Sequence, residues 1–137
     1  MKKIRLLIVD EHPAVCQALA ARLQSTPHLE VVGAANTLRE GLRDAQTLRP
    51  DVILLELKGQ NAHRLDPAGD LSGHLVDGRT GLIVLTSYAD DLEREAAIRA
   101  GAQRYLLKDI DSPRLIAEIE AVAAEVRHDE KRLEIGD

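Results

Sequence analysis

Aromatic residues are nearly missing from this 137-residue chain, which has two Tyr, no Phe and no Trp. The core must therefore be aliphatic, built from Leu, Ile, Val and Ala, and binding modes that stack bases on aromatic platforms have almost nothing to use. A single cysteine, Cys16, excludes an internal disulfide and any multi-cysteine metal site, as suits a reducing compartment. Long apolar runs are missing too. The opening MKKIRLLIVDEHP begins like a signal peptide, but its apolar run is only six residues, Ile4 to Val9, contains Arg5 and ends in Asp10-Glu11. Nothing approaches the ~20 apolar residues that a membrane span needs, so a soluble, cytoplasmic protein without membrane contact is expected. Positive charge is not in excess either. Eighteen Lys and Arg against 23 Asp and Glu give a net charge of −5 with the signs interleaved, which argues against direct nucleic-acid binding by this segment.

What is present is 45% apolar sequence in a length that suits one domain. Short runs rich in β-branched residues and Leu occur at Ile4–Val9, Glu30–Ala34, Val52–Leu57, Leu82–Thr86 and Ala102–Leu107. The first, third and fourth are apolar nearly throughout, as expected of strands covered on both faces. Segments with helical spacing lie between them. Pro13 to Leu23 puts Val15, Leu19 and Leu23 on one stripe. Thr37 to Leu48 opens with a capping box, Thr37-x-x-Glu40. Asp90 to Ala100 pairs Asp90 with Arg94 and Glu95 with Arg99 at i,i+4, and ends at Gly101. Ser112 reads as an N-cap with Pro113 at N1, followed by the stripe Leu115, Ile119, Val122 and Val126. The stretch Lys58 to Gly81, rich in Gly and poor in apolar residues, predicts a third helix that is short or irregular. Beyond Arg127 the charged HDEKRLEIGD reads as a frayed helix end or linker, so residues 1–127 form the expected domain and 128–137 a C-terminal tail.

Alternating β and α segments imply an α/β fold, a parallel sheet with helices on both faces, and ligands in such sheets sit at the carboxyl ends of the strands. Asp10 and Glu11 follow the first strand, Glu56 ends the third, Thr86 ends the fourth and Lys108 follows the fifth. Four of five strands contribute at equivalent positions, which marks this edge as a functional site. Three carboxylates close together repel, by as much as ~4 kcal/mol per pair at ~4 Å and an effective dielectric of ~20. They call for a hard divalent cation such as Mg²⁺. A hydroxyl and an ammonium beside them suit an anion, for which a phosphoryl group is the obvious candidate. The first loop, DEHP, has no Gly, so neither a dinucleotide fingerprint nor a P-loop is present.

The stretches IRLLIVDEHP, LEVVGAANT, LRPDVILLEL, LIVLTSYAD and AIRAGAQRYLLKD, in this order and spacing, resemble the receiver domain of bacterial two-component response regulators. The likeness runs to about Arg127 and is strongest to the subfamily that carries a LuxR-type helix-turn-helix after the receiver. It implies a flavodoxin-like (βα)5 doubly wound sheet with strand order 2-1-3-4-5. It further implies that Asp10 and Glu11 are the metal-binding acidic pair, joined by Glu56 and the backbone carbonyl of Lys58. Thr86 falls on the switch hydroxyl, Lys108 on the phosphate-binding lysine and Tyr105 on the rotating aromatic. The implied partners are a second copy of the chain, through the C-terminal helices or the face of strands four and five, and a DNA-binding output domain outside this chain.

One departure matters. Where the family carries the Asp that accepts a phosphoryl group from a histidine kinase, this chain has Glu56, which puts a kinase partner in doubt. Asp51 lies five residues earlier on the same strand, ~17 Å away at ~3.3 Å per residue, at the wrong edge. Asp66 lies in the irregular segment with no strand to position it. Glu56 has three readings: a partial imitation of the phosphorylated state, carrying one charge where a phosphate carries nearly two; a partner in a metal site or salt bridge that holds one conformation; or, least favoured, a phosphoacceptor itself. The favoured function is thus an atypical, phosphorylation-independent receiver that signals through protein contacts and is not an enzyme. The alternatives are a stand-alone adaptor and a metal-dependent phosphotransferase or hydrolase using Asp10, Glu11 and Glu56.

Other residues read blandly. His12 is expected to be a polar residue opening the first helix, and His63 and His74 to be solvated loop residues. Cys16 is expected to be an inert or surface thiol. Ser87 is either a plain strand-end residue or one that narrows the pocket beside Thr86. Extending the last apolar stripe by seven reaches Leu133, which would lengthen an amphipathic helix able to pair with a second chain.

Overall fold

The computed structural model of the chain describes residues 2–56 and 80–135, with side chains described to residue 126. Five strands, β1 (Ile4–Val9), β2 (Leu29–Ala35), β3 (Val52–Glu56), β4 (Gly81–Thr86) and β5 (Arg104–Leu107), form one parallel sheet in the order β2-β1-β3-β4-β5. Four helices, α1 (Pro13–Gln24), α2 (Leu38–Leu48), α3 (Asp91–Arg99) and α4 (Ser112–Ile135), join and cover them. This is the flavodoxin-like order expected. The expected irregular third helix falls in residues 57–79, outside the described residues.

The apolar runs behave as fully covered strands: every residue of β3 and β4 is buried, and all but Arg5 of β1. The outer strands differ. β2 is half-buried along its middle, and β5 is shorter than the apolar run suggests. Gly101, at φ +104°, and Ala102 close α3 instead, with the Ala102 N–H donating to the Ala97 carbonyl at 3.0 Å.

Two aliphatic cores flank the sheet. Leu6, Ile8, Leu54, Ile83 and Leu85 face α1 and α4, while Leu7, Val9, Ile53, Leu55 and Val84 face α2 and α3. Gly81 lets α4 lie close: a Cβ there would stand 2.3 Å from Val122 Cγ1. In α1 Leu19 and Leu23 are buried as expected, but Cys16, three residues before Leu19, takes the first place in the stripe while Val15 is only half-buried. Cys16 is therefore a core residue at 1% exposure rather than a surface thiol. Burial, and after it the Asp10 charge, push its thiol pKa up, which leaves it an inert apolar group.

Helix ends follow local chemistry. The Thr37 hydroxyl accepts the Glu40 N–H at 3.1 Å, as the capping box requires, while the Glu40 carboxylate reaches back to the Asn36 N–H at 3.4 Å. At α4 the cap is Asp111, not Ser112. Asp111 Oδ1 accepts the Arg114 N–H at 2.9 Å, because a carboxylate competes better than a hydroxyl for the positive end of the helix. Ser112 Oγ instead accepts Arg22 Nε at 2.8 Å and ties α4 to α1. The backbone of α4 stays helical through Ile135, past Arg127, since no Gly or Pro interrupts the charged run before Gly136. No described helix is long and apolar enough to cross a membrane.

Candidate functional site

The site is made by register. Val9 pairs with Leu55, Glu56 with Leu85 and Thr86 with Leu107, so β1, β3, β4 and β5 finish nearly level. The ladder continues one step beyond them: the Asp10 N–H donates to the Ala35 carbonyl at 2.9 Å and the Lys108 N–H to the Thr86 carbonyl at 2.7 Å. Asp10 and Glu56 thus flank the point where strand order reverses, and Lys108 reaches back across β4 to them.

Asp10, Glu56 and Thr86 are the buried polar residues among those described, at 1%, 2% and 3% exposure. Lys108 Nζ donates to Asp10 Oδ2 at 2.8 Å and forms an ion pair with Glu56 Oε1. Asp10 Oδ1 accepts the His12 N–H at 2.9 Å. Neither buried Glu56 oxygen accepts an aligned hydrogen bond, and the same holds for the buried Oε1 of Glu11.

Charge is divided unevenly in this cluster. Burial, the largest influence, acts to raise the Asp10 carboxyl, but the close approach of Glu56 and Lys108 and the His12 N–H hold it below its ordinary value. Glu56 is pushed above its ordinary value, by burial first and then by Asp10, against the pull of Lys108. Burial acts to lower Lys108, yet the two carboxylates raise it, so the ammonium stays charged. One cation therefore faces two carboxylates, of which Glu56 is the readier to take a proton.

The structure brings Asp10, Glu56 and Lys108 into direct contact, and treats the remaining expected residues differently. Thr86 is buried beside them, but its hydroxyl donates to the Tyr88 carbonyl at 3.0 Å and accepts the Tyr88 N–H at 3.3 Å. Ser87 is exposed. Glu11 is half-buried and lies outside the set of ligating atoms that come together. That set is Asp10, His12 and Glu56, each offering one atom within 4.8 Å of the others. Lys58 lies outside the described residues, as do Asp66, His63 and His74. Asp51 stands at the opposite edge, where its Oδ2 accepts the Arg5 N–H at 2.8 Å.

Tyr105 is half-buried, with its hydroxyl donating to Glu93 Oε1 at 2.6 Å and accepting the Asp90 N–H at 3.1 Å. Asp90 also caps α3 by accepting the Glu93 N–H at 3.4 Å. The Arg94 guanidinium lies 5.4 Å from the Tyr105 ring centre. Arg94 thus serves the ring in place of the expected pair with Asp90, and Arg99 Nε donates to the Glu95 carbonyl in place of the Glu95 carboxylate. The sequence reading missed Glu93 and His12 as partners of site residues. The signal for Glu93 was available, because Asp90-x-x-Glu93 has the same capping spacing as Thr37-x-x-Glu40.

Residues 6–120 match the response regulator receiver domain family. The chain belongs to that family. It is 41% identical over 105 residues to the transcriptional regulatory protein LiaR of Bacillus subtilis, covering 77% of this chain and 49% of LiaR. It is 32% identical to the DNA-binding transcriptional activator DevR/DosR of Mycobacterium tuberculosis, covering 88% of this chain and 55% of that protein. The receiver thus spans about half the length of the curated relatives it matches. In fold it is similar to the receiver domain of the putative response regulator NarL from Mycobacterium tuberculosis, at TM-score 0.78 and 21% identity, covering 90% of this chain and 98% of that one. A LuxR-family response regulator from Aurantimonas gives TM-score 0.75 at 22% identity, with 94% and 99% covered.

Proposed function

We propose that this receiver signals without accepting a phosphoryl group, through protein contacts, as the regulatory part of a longer cytoplasmic transcription regulator. The supporting observation is the buried contact of Lys108 with Glu56 and Asp10. The lysine that would hold an incoming phosphoryl group already has two carboxylate partners. Glu56 stands where the resemblance places the family's acceptor Asp, one methylene longer. The geometry favours the reading in which Glu56 fixes one conformation over imitation of the phosphorylated state, since the Thr86 hydroxyl is engaged within its own loop and the Tyr105 hydroxyl is held by α3. The domain acts as a contact surface rather than a turnover enzyme. Its output would come from a DNA-binding domain beyond this chain, as the name of the DNA-binding transcriptional activator DevR/DosR suggests, with a second copy of the chain as partner and a histidine kinase a doubtful one.

Receivers commonly hold Mg²⁺ at acidic residues of this edge. Buried carboxylate oxygens without aligned donors on Glu11 and Glu56, and a surplus of carboxylates over ammonium, fit a divalent cation here. Asp10, Glu11, Glu56 and the Lys58 carbonyl are the residues that would hold it. Bound, it would neutralise the charge that Lys108 leaves uncompensated. The test is incubation with Mg²⁺ and a small acyl phosphate, followed by intact-mass measurement. The wild type is expected to gain no phosphoryl mass, and Glu56→Asp to gain one. Stoichiometric uptake by the wild type would overturn the reading.

A further inference from the structure

The imidazole of His12 stands at the acidic edge with no structural task assigned to it. It belongs to the N-cap residue of α1, yet makes no side-chain capping bond. Its Nδ1 lies 3.5 Å from Asp10 Oδ1, and its side chain is half exposed to solvent. Lys108 takes the other oxygen, Oδ2, so the ammonium and the imidazole sit at different atoms of the same carboxylate. Glu56 completes the group, with one ligating atom from each residue within 4.8 Å of the others. Glu56 is 2% exposed; its Oε1 is in the ion pair with Lys108, while its buried Oε2 has no hydrogen-bond partner and is left to face an ion. Two ligands held about 2.1 Å from one cation at about 90–110° stand about 3.0–3.4 Å apart. The Asp10–His12 separation is close to that without rearrangement.

We propose that His12, Asp10 and Glu56 form a mixed imidazole–carboxylate site that takes a first-row transition cation such as Co²⁺ or Zn²⁺ in preference to Mg²⁺. An all-oxygen set suits a hard cation, whereas one imidazole shifts preference toward borderline metals. His12 is reachable from solvent while Glu56 is buried, so the imidazole is the first ligand an entering ion meets. The assignment rests on a cation entering this edge, as in the metal part of the function proposed above. It does not depend on whether Glu56 accepts a phosphoryl group.

The experiment titrates chelator-stripped protein near neutral pH with Co²⁺, followed by visible absorption, and separately with Mg²⁺, followed by calorimetry. The wild type is expected to bind one Co²⁺ with ligand-field bands that report nitrogen coordination. His12→Gln should weaken Co²⁺ by at least the about 10–100-fold that loss of a ligand's supporting partner causes, and leave Mg²⁺ binding within about twofold. Glu56→Gln should weaken both ions. Co²⁺ binding that is unchanged in His12→Gln, or that survives intact in Glu56→Gln, would overturn the proposal by placing the ion elsewhere. Equal losses of Mg²⁺ and Co²⁺ in His12→Gln would also overturn it, as a general disturbance of the loop. Absence of binding by either ion would defeat the metal part of the functional reading along with it, whereas Mg²⁺ binding without a His12 effect on Co²⁺ would defeat this proposal alone. Circular dichroism of each variant checks that the fold is retained.

Discussion

Both faces of the sheet carry an aliphatic core, but the helices that follow β4 and β5 are held by different physics. On one side α4 buries Leu115, Ile119, Val122, Ala123 and Val126 against β1, β3 and β4. On the other, α3 buries only Ala97 of its nine residues, while Leu92 and Ile98 lie 74% and 51% exposed. What holds α3 is largely polar: Tyr105 with Glu93 and Asp90, and the Arg94 guanidinium over the ring. Burial is non-directional and resists small shifts, whereas a few hydrogen bonds near solvent exchange readily with water. The α4 side is built as an anchor. The α3 side, next to the strand-end site, can move at little cost.

The largest effect should come from removing the cation of that site. Lys108→Met leaves the buried carboxylates of Asp10 and Glu56 without their cation and is expected to cost about 3–5 kcal/mol in urea unfolding near neutral pH. The loss should shrink on acidification as Glu56 takes a proton. A cost that does not change with pH would show that lost packing, not charge, is responsible. Next in size is the contrast between helices. Ile119→Ala should cost about 2–5 kcal/mol, and Ile98→Ala on α3 no more than about 0.5 kcal/mol. Similar losses at the two positions would break the comparison outright.

The smallest effect is the most diagnostic of the charge arrangement. Because the folded pKa of Glu56 is raised, the folded state holds its proton where the unfolded chain has lost it. That contribution to stability is fully present below the ordinary glutamate value of 4.5 and is lost as pH rises through the raised value. Asp10 works in the opposite sense: its contribution is present above the ordinary value of 3.8 and is lost as pH falls through the lowered one. In chelating buffer, Glu56→Gln should therefore flatten the decline of stability above pH 4.5 and leave the acid limb intact. An unchanged pH profile in thermal melts would mean that Glu56 titrates alike in the folded and unfolded chain.

Much of this architecture could be read from the chain. The covered strands announce themselves as unbroken aliphatic runs, and a strand's carboxyl end is simply where such a run stops. That is why Asp10, Glu56, Thr86 and Lys108 were recognisable as one edge. The outer strands were less legible, because a half-buried strand such as β5 has a weaker pattern and shares its first residues with the close of α3. In α1 Leu19 and Leu23 are buried as the stripe predicts, but Cys16 rather than Val15 precedes them in the core, because positions three and four residues before Leu19 share one helix face and the pattern does not choose between them.

Periodicity and run length are local properties, so the sheet, its covered inner strands and the inventory of groups at one edge are legible in the chain before it folds. Tertiary structure alone decided which of those groups touch. Lys108 meets Asp10 across 98 residues of chain, and only the register of four parallel strands sets that distance. The same register draws His12 toward Glu56 and leaves Glu11 aside, though the two are neighbours in the chain. Which way a side chain turns as it leaves the last rung of a strand depends on what the next strand places opposite it, and no local pattern carries that information.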